Sequence, residues 1–121
     1  MHFRFTARQH LCRAREFEKV RRSGRAFQSA PFVFTIFLPE LVEGADSLRR
    51  FGVIASRRVG NAVVRNRCKR ISREVFRKQQ HSLPEHCDCV LLVRRQFPDF
   101  TFAELEKKFT QACESMTRNR S

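Results

Sequence analysis

The residues best suited to chemistry are cations that recur at helical spacing near the middle of the chain. Arg65, Lys69 and Arg73 stand four positions apart, so on a helix that rises ~1.5 Å per residue they form one row about 12 Å long. Asn66 adds a group that both donates and accepts hydrogen bonds, and further cations lie on the flanks at Arg67, Arg70 and Arg77. Because like charges at this spacing repel and guanidinium groups bind phosphate oxygens in pairs, the pattern predicts a phosphate-bearing partner.

Positive charge is concentrated around this row. Residues 49–78 hold 11 basic and 1 acidic side chain, against 8 and 5 in residues 1–48 and 6 and 6 in residues 79–121. Such a cluster, in a chain of net charge +13, indicates a polyanion as the partner. Nucleic acid is favoured over an anionic membrane because no long apolar run or lipidation motif is present. A solvated charged face is the alternative, which the ratio of 11 to 1 disfavours.

The elements that must position the row follow from the hydrophobic pattern. We predict an α+β fold in a single domain, residues 1–121, with a small central mixed sheet, packed helices and the element order α-β-β-α-β-α. The predicted elements are a helix at 13–22, strands at 32–37 and 51–56, the basic helix at 62–80, a strand at 89–93 and a helix that begins after residue 101. Residues 1–12 and 117–121 are expected to be flexible.

Local signals define the ends and the buried face of these helices. Asn61 is the expected N-cap of the basic helix, and Thr101 with Glu104 forms a capping box for the last helix. The buried face of the basic helix is predicted from apolar side chains at helical spacing, namely Val64, Cys68, Ile71 and Val75.

The cysteines predict packing rather than metal binding. Cys87 and Cys89 are separated by one residue, whereas structural zinc sites space their paired cysteines two to four residues apart, so we expect Cys89 to face the core as part of a strand. The total of five is odd, which argues against a disulfide framework. We expect free thiols, with Cys12, Cys68 and Cys113 as small apolar fillers.

A nuclease site made of protein side chains is not indicated. Such a site would need clustered carboxylates for a metal, or a histidine acting as acid and base. The basic region holds only Glu74, which we expect to pair with Lys78, and the histidines at 2, 10, 81 and 86 have no evident partners. We therefore expect no catalytic residue and no metal ligand in the protein.

The segment from Arg57 to Arg77 also resembles a known signature. Its sequence, RRVGNAVVRNRCKRISREVFR, contains a basic pair, an Arg-Asn-Arg helix, a following Lys-Arg and one further Arg. This pattern of about 20 positions is similar to that of the bacterial ribonuclease P protein family. The resemblance extends over most of the chain and is weaker at residues 39–50 and in the last third.

The resemblance implies a function. Members of this family are the protein subunit of ribonuclease P, in which a catalytic RNA removes the 5′ leader of precursor tRNA with Mg²⁺. We therefore expect catalysis and Mg²⁺ in the RNA subunit, and no cofactor on the protein itself. The implied partners are that RNA and precursor tRNA, without an obligate protein partner or a membrane. A cytoplasmic location is expected because residues 1–5 lack the apolar core of a secretory signal.

The resemblance also implies contacts. Those to RNA are expected from Arg57, Arg58, Arg65, Asn66, Arg67, Lys69, Arg70 and Arg73. Phe17 matches an aromatic position of the cleft that holds the leader. Some members carry a second aromatic residue where this chain has Arg21, and some carry a tyrosine where it has Thr35, beside Phe34. We take Phe17, Arg21 and Phe34 as the predicted leader-binding residues.

Two further expectations remain open. The usual rule makes a crossover between parallel strands right-handed, but the family resemblance implies a left-handed βαβ crossover, as in ribosomal-protein-S5-like folds, and we adopt the latter. A general RNA-binding or ribosome-associated protein would need only the charge cluster, and a stand-alone protein nuclease is a third, weaker interpretation.

Overall fold

The computed structural model describes residues 4–118. Within them lie three α-helices and a four-stranded sheet: α1 (Ala14–Ser23), β1 (Arg25–Gln28), β2 (Phe32–Phe37), β3 (Arg49–Ile54), α2 (Ala62–Gln79), β4 (Cys87–Val93) and α3 (Phe102–Arg118). Short 3₁₀ turns occupy Ala7–Gln9, Gln80–Ser82 and Phe97–Asp99. Among the helices of residues 4–118, none combines the length and apolar character needed to cross a membrane.

The sheet is mixed and has the strand order β1-β2-β4-β3. β2 pairs with β1 and β4 in antiparallel fashion, and β3 runs parallel to β4. The helix α2 joins the two parallel strands, because a tight turn cannot return the chain to the end of the sheet at which a parallel strand must begin. The predicted α+β fold with a mixed sheet is therefore confirmed, and the left-handed sense of this crossover stays a prediction.

The predicted element order is wrong by one strand. The segment Arg25–Gln28 forms β1, so the order is α-β-β-β-α-β-α. Its four residues are exposed or half-buried and show no apolar alternation in the sequence. The strand forms because its backbone pairs with β2, a stabilisation that a local hydrophobic pattern does not report.

One face of the sheet carries the main core. Its residues alternate along β2, β3 and β4, as the pleat requires, and pack against α2 and α3. Phe76 of α2 stacks on Phe51 with ring centroids 4.5 Å apart, and Phe109 of α3 lies 4.9 Å from Phe34. In α2 the predicted buried stripe is confirmed for Cys68 and Val75, while its other two members are half-buried.

The opposite face of the sheet is covered by α1. A smaller cluster of Leu11, Val20 and Val90 is buried there, with Phe17, Phe37 and Ile54 packed around it. The ten residues of α1 cannot cover the whole face. The sheet therefore has one face sealed by two long helices and one face that remains partly open.

Both predicted helix starts are confirmed by hydrogen bonds. The Asn61 side chain accepts from the Val64 N–H at 3.0 Å, which satisfies one of the free donors of the first turn of α2. At α3 the Glu104 N–H donates to Thr101 Oγ1 at 3.2 Å and the Thr101 N–H donates to Glu104 Oε1 at 2.8 Å.

The segment before α1 packs along the edge of β3. The Leu11 N–H donates to the Phe51 carbonyl at 3.0 Å, and Leu11 itself is buried. The buried Gln9 amide donates to Gln80 Oε1 at 2.9 Å. Flexibility of residues 1–12 and 117–121 stays a prediction; of these, 1–3 and 119–121 lie outside the described residues.

Candidate nucleic-acid interface

The exposed side of α2 carries the predicted cations. Successive residues of a helix are rotated by about 100°, so Cys68, Ser72 and Val75 face the sheet while the opposite side faces solvent. Asn66, Arg67, Arg70 and Arg73 are exposed, and Lys69 is half-buried at the margin. The structure brings these side chains together on one surface, which we call the α2 surface.

The basic pair before α2 extends the α2 surface at its N-terminal end. Arg57 and Arg58 are exposed in a turn closed by a 3.0 Å hydrogen bond from the Val59 N–H to the Ser56 carbonyl. This turn connects β3 to α2. The extra charges therefore lie next to the start of the helix, where its dipole also favours an anion.

Arg65 differs from the other cations of α2. It stands about 60° from Cys68 around the helix and is half-buried, and its buried Nε atom has no hydrogen-bond partner among residues 4–118. The Arg65 side chain therefore does not lie wholly on the solvent side of α2. Its stem packs at the edge of the core, so replacing Arg65 removes packing as well as charge.

Among residues 4–118, most cations of the α2 surface have no carboxylate near them. Within residues 4–118, no carboxylate lies within 4.0 Å of the cationic groups of Arg57, Arg58, Arg65, Arg67, Lys69, Arg70 or Arg73. Glu74 pairs with Arg77 instead, at 2.5 Å, and not with Lys78 as expected; this hydrogen bond lowers the pKa of Glu74. A row of like charges at helical spacing is therefore left without internal counter-ions, which favours an external anion.

The histidines have more partners than the sequence indicated. The His10 ring stacks on Phe5 with centroids 4.0 Å apart, and burial together with the nearby charge of Arg73 lowers the pKa of His10. His86 Nδ1 accepts from the Leu48 N–H at 3.1 Å. His10 and His86 therefore have different structural partners.

Phe17 lies directly on the backbone of β3. A Cβ atom added to Gly52 would lie 2.6 Å from Phe17 Cζ and closer still to Phe17 Cε1, so the ring occupies the space that a side chain would fill. Any larger residue at position 52 displaces it. The Phe17 residue is half-buried, so part of its ring surface is accessible to solvent.

A strip of half-buried apolar side chains continues from Phe17 across the open part of this face. Ile54 lies two residues beyond Gly52 and therefore on the same side of β3. Its register partner is Leu92 of β4, and Leu92 pairs in turn with Val33 of β2. Phe17 and this strip form what we call the α1 face. Sequence reasoning missed Val33, Ile54 and Leu92, because strand pairing is needed to place them together.

The two other predicted leader-binding residues have different positions. Arg21 is exposed one turn after Phe17, on the same side of α1, so its charge flanks the α1 face. The prediction that Phe34 contacts the leader is wrong. Phe34 is fully buried in the main core because it alternates with Val33 and Thr35 along β2, and those neighbours point toward α1 instead.

A partly buried ion pair that sequence reasoning missed fixes α1 to the sheet. Arg50 of β3 donates to Asp88 of β4 at 2.8 and 2.7 Å and to Glu16 of α1 at 2.6 Å. The hydrogen bond and charge of Asp88 raise the pKa of Arg50 despite its burial. Burial alone would raise the pKa of Glu16, but N–H donors of Arg13 and Cys12 and the Arg50 charge lower it.

The cysteines are placed as packing residues, with one exception. Cys68, Cys87, Cys89 and Cys113 are buried, and the prediction that Cys89 faces the core is confirmed. Burial raises the pKa of Cys113 to about 12 and also raises that of Cys89. Cys12 is exposed, so its assignment as a core filler is wrong. Among residues 4–118, no three His, Cys, Asp or Glu side chains are grouped as a metal site requires.

Comparison with known proteins gives consistent results. The family model described as Ribonuclease P matches residues 5–117. A ribonuclease P protein component of Bacillus pumilus is 33% identical over 100 residues, covering 83% of this chain and 81% of that protein. Another, of Shouchella clausii, is 39% identical over 97 residues, covering 80% and 76%.

Solved structures show the same fold. The RNase P protein from Thermotoga maritima superimposes with a TM-score of 0.69 at 27% identity, covering 84% of this chain and 92% of that one. A Staphylococcus aureus RNase P protein gives a TM-score of 0.74 at 21% identity, covering 89% and 94%. The family model spans nearly all of the described residues, and the chain belongs to the ribonuclease P protein family.

Proposed function

We propose that this chain is the protein subunit of ribonuclease P, which binds the catalytic RNA and the 5′ leader of precursor tRNA and assists endonucleolytic removal of that leader. The observation that carries the proposal is the α2 surface, whose cations lack counter-ions within residues 4–118. The protein holds and positions RNA. The Mg²⁺-dependent hydrolysis belongs to the RNA subunit, and the protein itself carries no cofactor.

The α2 surface supports binding to the catalytic RNA. Its arginines are presented by a helix whose other side is fixed in the core, so the cations keep their relative positions when RNA binds. Each phosphate neutralised releases counter-ions, which makes affinity fall with salt. The exposed Asn66 amide stands between two arginines and can contact a sugar hydroxyl or a base edge.

The α1 face supports binding to the single-stranded leader. Unstacked bases bind to aromatic and apolar side chains while the backbone follows nearby cations. Phe17 and the strip of Val33, Ile54 and Leu92 supply the first property, and Arg21 supplies the second. The two surfaces lie on opposite faces of the sheet, so the protein can contact both RNA molecules at once.

Reconstitution with a cognate ribonuclease P RNA tests the proposal. We expect the protein to stimulate cleavage of precursor tRNA at low Mg²⁺ without an obligate protein partner. In the cell, we expect it to act in the cytoplasm. The absence of stimulation by well-folded protein contradicts the proposal. Cleavage by the protein without RNA supports the stand-alone nuclease instead.

Salt dependence tests the α2 surface, and RNA identity separates a specific subunit from a general RNA-binding protein. For the R67A/R70A double variant, the slope of log affinity against log salt should fall by roughly 0.7 to 0.9 for each phosphate that the variant no longer binds. Lys107→Ala is the control for the loss of a single cation outside the α2 surface, because Lys107 is an exposed cation on α3. Equal affinity for the cognate RNA and for an unrelated structured RNA of the same length would favour the general RNA-binding protein.

A further inference from the structure

A groove lies between α2 and the 3₁₀ turn Phe97–Asp99 that precedes α3. Its volume is ≈ 160 Å³. The groove is next to the α2 surface, and Arg67 belongs to both. Its walls are mostly apolar and are formed by Val64, Arg67, Cys68, Ile71, Phe97, Pro98 and Phe100.

The size of the groove fits one flat ring. A cavity of about 150 Å³ lined by apolar side chains accepts a benzene molecule, so ≈ 160 Å³ accommodates a single six-membered ring of a nucleobase. Phe97 forms a buried part of the wall. Phe100 and Ile71 are half-buried and leave apolar surface for a ring to contact.

The charges around the groove favour an anionic chain at its rim. Arg67 is exposed there, and Arg70 follows it one turn later on α2. The ammonium group of Lys108 on α3 lies 5.6 Å from the centre of the Phe100 ring. Asp99 of the adjoining turn and Glu104, one turn before Lys108 on α3, are exposed carboxylates, so the three cations outnumber them by one.

We propose that this groove receives one unstacked base of the catalytic RNA, which contacts Phe100 while Arg67 and Lys108 bind the adjoining phosphates. The inference rests on the proposed function and adds a base-binding site to it. The catalytic RNA is the source because the groove adjoins the α2 surface. The α1 face, where we place the leader, lies on the other side of the sheet.

Two substitutions test the groove by opposite means. Phe100→Ala removes one wall, and Ile71→Phe fills the space while keeping an apolar side chain. Removing the stacking of one base should weaken binding of a cognate ribonuclease P RNA transcript by about 5- to 150-fold. For Ile71→Phe the salt slope should stay unchanged, because this variant removes no cation and keeps the Phe100 ring beside Lys108. Val63→Ala is the control, since Val63 is 76% exposed on α2 and lies outside the groove lining.

Thermal unfolding of each variant identifies loss of affinity that comes from loss of folding. If Phe100→Ala is unfolded at the assay temperature, Ile71→Phe decides the question, since it enlarges a half-buried side chain and leaves no cavity. Full RNA affinity in a folded variant of either kind overturns the proposal. If the R67A/R70A variant loses affinity while both groove variants keep it, the base site is refuted and the proposed function stands.

Photo-cross-linking identifies the occupant. A benzoyl-phenylalanine at position 98 replaces Pro98, which is exposed in the groove wall. We expect a cross-link to one unpaired nucleotide of the catalytic RNA in the reconstituted complex. A cross-link to the leader, or none to RNA, overturns the proposal.

Discussion

The close approach of Phe17 to Gly52 makes a quantitative prediction for Gly52→Ala. The new Cβ atom would lie 2.6 Å from Phe17 Cζ and 3.0 Å from Leu11 Cβ, whereas carbon atoms prefer a separation of about 3.5–4.0 Å. The Phe17 ring must therefore move by about 1 Å or more to restore that separation. Overpacking of this kind costs about 1–3 kcal/mol, a large share of the roughly 5–15 kcal/mol that stabilises a domain.

A double-mutant cycle isolates this clash. In a Phe17→Ala background the ring is absent, so Gly52→Ala should cost about 1–2 kcal/mol less than in the wild-type chain, with a residual cost from Leu11. Phe37→Ala provides the control background. Phe37 belongs to the same apolar cluster, but none of its atoms is among the three nearest to a Cβ atom at position 52. Urea unfolding with a shared m-value gives the free energies of unfolding. Additivity within about 0.5 kcal/mol would refute the placement of Phe17 on β3.

Three other predictions concern the ion pair and the thiols. Asp88→Ala leaves Arg50, whose side chain is 31% exposed, with one carboxylate, so urea unfolding should show a loss of about 2–3 kcal/mol; an unchanged midpoint contradicts this. Because the pKa of Glu16 is lowered in the folded protein, its ionised carboxylate contributes its full stabilisation above pH 4.5, the usual pKa, and this contribution is lost as the pH falls through the folded-state pKa. In Glu16→Gln the free energy of unfolding should therefore decrease less steeply with acid, and an unchanged dependence on pH would contradict the assignment. Under native conditions iodoacetamide should label Cys12 rapidly and the four buried cysteines slowly, which mass spectrometry checks; comparable rates at all five would refute the burial.

Local signals in the sequence were enough to predict α2 and its chemistry. The helix start at Asn61, the buried Cys68 and the exposed Arg67 all depend on spacing within one helix, which the sequence contains. The half-buried position of Arg65 has no such local signal, because a residue about 60° from the buried centre of a helix can be covered or exposed. The neighbouring elements decide which of these occurs.

Features that depend on strand pairing were not predictable in the same way. Phe34 and Val33 are adjacent in sequence, and only the placement of α1 and α3 shows which face each one occupies. The strand Arg25–Gln28 exists through its pairing with β2. Arg50 and Asp88 are 38 residues apart, so their ion pair depends on the parallel register of β3 and β4 and has no local signal.

Whether the chain holds both RNA molecules is decided by the affinity of the reconstituted complex for precursor tRNA as a function of leader length. We expect affinity to rise as the leader lengthens enough to reach the α1 face. Phe17→Ala should remove most of this gain and leave affinity for leaderless tRNA unchanged. Affinity that does not depend on leader length, or an equal loss on both substrates, would contradict the proposed role of the α1 face.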